Sequence, residues 1–122
     1  MAIVNYGEPF VNGATILTAQ LPIYTAPTDV LSVVFGNARL VHYTEAGAGG
    51  VVTTVDLWLV QPGNDETQDQ FKIVSQKAMG VSQTYVLNEL IMSALRGGGE
   101  IWGQASVSSM VSFTASGTER LS

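Results

Sequence analysis

The sequence predicts an all-β domain, an antiparallel sandwich of about seven or eight short strands. Three observations carry this. Short apolar or alternating segments recur along the chain. Turn signals separate them roughly every 8–12 residues. The connections are mostly too short for the crossovers that a parallel sheet needs. The chain has 122 residues, room for one core, here assigned to residues 14–122.

Residues 1–13 read as an N-terminal arm. Gly7, Pro9 and Gly13 punctuate it, and its apolar residues (Ile3, Val4, Phe10, Val11) are few. Such a segment is ordered only when it docks on something. The β pattern starts at Ala14. Ala14–Tyr24 is rich in Thr, Ile and Leu, and Pro22 marks an edge or a bulge. Residues 25–29 are a turn signal. Val30–Thr44 holds the apolar run Val30, Leu31, Val33, Val34, Phe35, with Gly36-Asn37 as a bulge or bend. Gly47–Gly50 is a hairpin loop.

Val51–Val60 is the clearest strand. Val51, Thr53, Val55, Leu57 and Leu59 share one face; Val52, Thr54, Asp56, Trp58 and Val60 share the other. Asp56 assigns the first face to the core. A loop follows over 61–66, then a strand over Phe71–Ala78 and a turn over Gly80–Gln83. In Thr84–Leu95, the residues Leu87, Leu90, Ile91, Ala94 and Leu95 have helical spacing, and Arg96-Gly97 suits a helix end. A short helix of two or three turns is predicted there, although Thr84-Tyr85-Val86 favours a strand. Gly97–Gly99 breaks the chain. Glu100–Ser106 and Met110–Ser116 complete the pattern, which is that of a sandwich of jelly-roll type.

Only 12% of residues are charged, against about 25% in a typical soluble domain. A free monomer relies on a charged surface for solubility. The deficit points to a surface partly covered by other subunits. The plainer alternative is a monomer solvated by Ser, Thr, Asn and Gln. The net charge is −5, and the cations Arg39, Lys72, Lys77, Arg96 and Arg120 form no basic stripe. This argues against direct nucleic-acid binding. The absence of cysteine excludes disulfides and thiolate metal sites and weakly favours a reducing compartment. The first residues lack the pattern of a signal peptide. No apolar run approaches the ~20 residues of a membrane span.

Chemistry-bearing residues are sparse. His42 is the only histidine, and it reads as a strand residue with a satisfied hydrogen bond. Asp65, Glu66 and Asp69 lack the spacing of a calcium loop and read as a solvated loop. Asp56 and Glu89 would form a glycosidase-type pair only if the fold made them face each other. Neither glycine run is a phosphate cradle. No catalytic residue, metal ligand or cofactor is assigned, and a structural or binding subunit is expected in place of an enzyme. Trp58, Tyr85 and Trp102 are more suggestive. Alternation puts Trp58 and Trp102 on the outer face, where aromatics anchor interfaces or stack on sugars. Core positions, with the faces exchanged, stay equally open.

The order of segments carries a resemblance. Thr15-Ile16-Leu17 and Leu21-Pro22-Ile23-Tyr24-Thr25-Ala26-Pro27 form an opening strand and its turn. A long apolar strand and Val55-Asp56-Leu57-Trp58-Leu59-Val60 follow. Then come an L-x-x-L segment (Leu87, Leu90), a Gly turn, and Ile101-Trp102-Gly103-Gln104-Ala105-Ser106. Val111–Glu119 closes the chain. This succession resembles small jelly-roll structural proteins of tailed bacteriophages, most of all capsid decoration (cement) proteins, over roughly residues 14–119. Arg96–Gly99 stands where that family commonly has an Ala-Gly-Asp turn, which leaves the subfamily open. The resemblance implies a virion subunit made in the host cytoplasm and bound to the outside of the capsid. Its implied partners are the major capsid protein and copies of itself, as a dimer or trimer. A receptor- or carbohydrate-binding module of a phage tail or fibre is the alternative. On the first reading the arm (Ile3, Val4, Tyr6, Phe10) reaches a neighbouring subunit, together with Trp58, Tyr85 and Trp102. Deleting residues 1–13 would then leave the domain folded.

Overall fold

The computed structural model describes residues 2–5, 10–43, 51–65 and 69–121. Among them are ten strands: β1 (Ala2–Asn5), β2 (Val11–Thr15), β3 (Leu21–Thr25), β4 (Ser32–His42), β5 (Thr53–Val60), β6 (Lys72–Met79), β7 (Thr84–Val86), β8 (Ala94–Arg96), β9 (Glu100–Ala105) and β10 (Val111–Leu121). A single 3-10 turn, Asp69–Phe71, precedes β6. No helix of the described residues is long and apolar enough to cross a membrane.

The strands form two antiparallel sheets. In the large one β10 and β4 lie side by side at the centre. The free edge of β10 takes β1 at one end and β2 at the other. The free edge of β4 takes β7 at Arg39–Val41 and β8 at Ser32–Val34. The small sheet runs β3-β9-β5-β6. Most connections pass from one sheet to the other: β2 to β3, β3 to β4, β4 to β5, β6 to β7, β8 to β9 and β9 to β10. This double Greek-key wrap is the jelly-roll sandwich that the sequence predicts.

Alternation explains the faces. In β9, Ile101, Gly103 and Ala105 are buried, while Glu100, Trp102 and Gln104 are half-exposed. In β4, Val33, Phe35, Ala38, Leu40 and His42 are buried, with one break in period at Gly36-Asn37. That break is a β-bulge: the pairing with β10 steps from Asn37–Ser116 to Phe35–Gly117 and skips Gly36. The two inner faces meet in one core that includes Phe35, Leu40, Leu57, Ile101 and Phe113.

Two expectations are corrected. The predicted helix over Thr84–Leu95 is absent. The segment is β7, a tight turn and β8. Leu87 and Leu90 do share a face, because one helical turn closes there (Leu90 N to Leu87 O, 3.0 Å; Ile91 N to Leu87 O, 3.1 Å). The helix goes no further because Met92 N donates to Phe35 O at 2.7 Å and Ser93 O accepts from Phe35 N at 3.1 Å. The open edge of β4 outcompetes the next helical turn, and Met92 takes a φ of 71° at the switch.

The arm is likewise part of the sheet. Ala2–Asn5 and Val11–Thr15 are strands on β10. Phe10 stacks on Tyr24 (6.0 Å between centroids) and meets Phe35 edge-on (6.2 Å). Residues 2–5 and 10–13 therefore extend the domain, and their removal strips an edge of β10 and an aromatic from the core margin. Phe10→Ala is expected to lower the stability of unfolding by about 2 kcal/mol, since the ring is half-buried and has two aromatic partners. A urea titration reads this as a shift in midpoint at constant m.

Candidate functional site

The residues assigned from sequence fall in different places. Ile3 and Val4 are in β1, opposite Arg120 and Glu119 of β10. Tyr6 lies outside the described residues, as do Gly47–Gly50 and Glu66. Phe10 serves the core margin. Tyr85 is half-buried on β7. Trp58 and Trp102 alone come together, as direct cross-strand partners of β5 and β9.

The face assignment of β5 holds: Val55 and Leu57 are core residues and Leu59 packs against the core. Trp58 therefore lies on the outer face of the small sheet. Yet it is only 4% exposed. The covering comes from its own chain. Lys72 of β6 pairs with Trp58 across the β5–β6 ladder, and its Nζ stands 5.1 Å from the ring centroid. Sequence reading assigned no role to Lys72, since its place beside Trp58 depends on two irregularities in that ladder.

Along this face Asp56, Trp58 and Val60 run beside Gln104, Trp102 and Glu100. Lys72 Nζ is 3.7 Å from Asp56 Oδ1 and 3.8 Å from Asp69 Oδ1. Asp56 Oδ1 also accepts the backbone N–H of Gln76 at 2.7 Å. That bond anchors the irregular point of β6, where Gln76 has a φ of 48°. Glu100 Oε2 accepts from Thr25 Oγ1 at 3.3 Å. The face is thus an aromatic pair bordered by carboxylates that are already engaged. Both indole N–H groups, of Trp58 and Trp102, are buried without a hydrogen-bond partner.

The other candidates disperse. Glu89 accepts the Tyr85 hydroxyl at 2.7 Å, so Asp56 and Glu89 serve different partners on different elements. Among the described residues no three His, Asp or Glu side chains are grouped to hold a metal ion. His42 is buried, and its Nε2 meets Val51 O at 2.8 Å, so the imidazole donates from Nε2 to the carbonyl. Its Nδ1 is buried without a partner, so only half of the predicted satisfaction is found.

Tyr85 has a shifted titration. Its hydrogen bond to Glu89, then burial, then the Glu89 charge hold its pKa above the ordinary tyrosine value. The hydrogen-bonded neutral form favours folding below the ordinary tyrosine pKa, and this contribution is lost as pH rises through the raised one. A difference titration of phenolate absorbance between the protein and its Tyr85→Phe variant is expected to show Tyr85 ionising later than free tyrosine. Glu89→Gln is expected to bring that ionisation back down.

No family model, curated protein or solved structure matches this chain. The fold and these surfaces are the ground for a functional reading.

Proposed function

We propose that this chain is a virion structural protein, a capsid decoration (cement) protein that binds the outside of a phage head and stabilises junctions between shell subunits. The observation that carries the reading is the outer face of the large sheet. It is broad and is built from small hydroxyl and amide side chains, among them Thr15, Asn37, Thr84, Ser112 and Ser116, all exposed or half-exposed. Such a face suits a flat protein surface better than it suits the enclosure of a small ligand. The charge deficit of the whole chain supports the same reading, as does the order of segments that resembles decoration proteins. A protein that binds only the assembled shell stabilises it by mass action, summed over many copies.

The tail or fibre carbohydrate-binding alternative needs an open indole face. Lys72 occupies that position over Trp58 and leaves only Trp102 half-exposed, so the pair offers no two-ring platform, which favours the decoration reading. Quantitative mass spectrometry of purified particles of the source virus tests it. A copy number of the same order as the main shell protein is expected. A few copies per particle would move the chain to the tail, and its absence from particles would overturn the proposal.

A further inference from the structure

The five cations fall into two sets. Lys72 is held by Asp56 and Asp69, and Lys77 Nζ lies 4.5 Å from the Tyr85 ring centroid. Arg39, Arg96 and Arg120 are exposed, and among the described residues their side chains make no ion pair or hydrogen bond.

The register gathers these three on one surface. Arg96 of β8 and Arg120 of β10 both stand opposite Ser32 of β4, from its two sides. Two strand spacings put their backbones about 10 Å apart. Arg39 lies further along β4, about 20 Å away at the rise of a strand. All three point to the outer face of the large sheet, since their neighbours in sequence, Ala38, Leu40, Leu95 and Glu119, are the buried ones. Glu119 is the only acid in the strands of this sheet, and it is buried on the inner side, opposite Val33. In a chain of net charge −5, the strands of this sheet thus carry only cations on their outer face, while the exposed acids Asp29 and Glu89 lie in the connections before β4 and between β7 and β8.

The opposite face of the sandwich has the other sign. Asp56, Asp69 and Glu100 surround the Trp58–Trp102 pair there, with Lys72 as the one cation. Each face also has an apolar spot. Val86 is 47% exposed beside Arg39, and half-exposed Trp102 lies next to Pro22 of β3.

We propose that the arginine face of the large sheet docks on the acidic small-sheet face of a second copy of this chain. Like faces cannot pair this way, because a symmetric contact would set arginine against arginine. The contact is head-to-tail, and it forms a ring if its rotation closes or a row if it does not. Its charges are few, and on the acidic side Asp56 and Glu100 are half-exposed and already hydrogen-bonded, so in solution it is weak, screened by salt and guided by long-range steering. The contact covers the same outer face that the decoration reading sets on the shell, so a given copy makes one contact or the other through it. Three arginines spread over this distance are too sparse to follow a phosphate backbone, which sets nucleic acid aside.

The test is sedimentation of the whole chain at about 0.01 M and about 1 M salt, where the screening lengths are about 30 Å and 3 Å. Self-association is expected at low salt and at least a tenfold weakening at high salt. Two variants then separate the faces by neutral replacement: Arg39→Gln/Arg96→Gln/Arg120→Gln, and Asp69→Asn/Glu100→Gln. Each alone is expected to be monomeric. Mixed, they are expected to form a one-to-one dimer and nothing longer, since each retains the face the other lacks. A monomer at every salt concentration would overturn the proposal. So would association that is indifferent to salt, survives the arginine replacements, or fails to reappear on mixing.

Discussion

Gly117→Ala is expected to cost at least about 3 kcal/mol and to leave the domain largely unfolded at moderate urea. The position lies in β10, one of the two central strands of the large sheet. There the β4–β10 register shifts to accommodate the bulge at Gly36. A Cβ on Gly117 would run into Val34 O, with Gly36 N at 2.8 Å and Phe35 Cα at 3.0 Å. All three are backbone atoms, so no rotamer change relieves the clash. The two central strands must part, and both carry core side chains, Phe35 and Phe113. Gly36→Ala is the control. Its Cβ would meet Gly117 Cα at 3.7 Å and Ser116 O at 4.0 Å, both ordinary contacts. That replacement also removes freedom from the unfolded chain. It is expected to shift stability by less than about 1 kcal/mol in either direction. Urea midpoints of the two variants decide the matter, and equal losses would show that the bulge is not the tight point.

These glycines also show how far the sequence could be read. Gly36-Asn37 was legible as a bulge because it interrupts an apolar run in the same strand. Gly117 was not, because its constraint comes from residues some eighty positions earlier. A still longer separation hid the arm. Ala2 pairs with Leu121, and nothing local in residues 1–13 announces a partner at the other end of the chain. The segment after Thr84 misled for a different reason. Leu87 and Leu90 are spaced for one helical turn and make one, but the unpaired edge of β4 then claims Met92 and Ser93. Periodicity reports which side chains go inward, and it does not report which backbone groups lie in reach. The arginine face is the same lesson at the surface. Arg39 is readable as outward from its buried neighbours Ala38 and Leu40, but only register brings Arg96 and Arg120 beside Ser32.

Trp58 lies on the outer face that alternation assigns and is nonetheless buried, so its replacement is expected to act on folding before it acts on association. Trp58→Ala removes a large ring from between Trp102 and Lys72 and is expected to cost about 3 kcal/mol. It also leaves Lys72 without its aromatic support, though Asp56 and Asp69 still hold the ammonium. Trp58→Phe separates the ring from its polar edge. The phenyl ring keeps most of the packing and the cation contact. The replacement also deletes a buried indole N–H that has no acceptor. An unsatisfied buried donor costs about 1–3 kcal/mol, which is similar to the packing lost on shrinking the ring. The two effects oppose each other, so Trp58→Phe is expected to lie within about 1 kcal/mol of the unchanged protein. Urea unfolding of both variants gives the comparison. A loss for Trp58→Phe as large as that for Trp58→Ala would mean that the N–H is bonded in solution, to water or to a neighbouring copy.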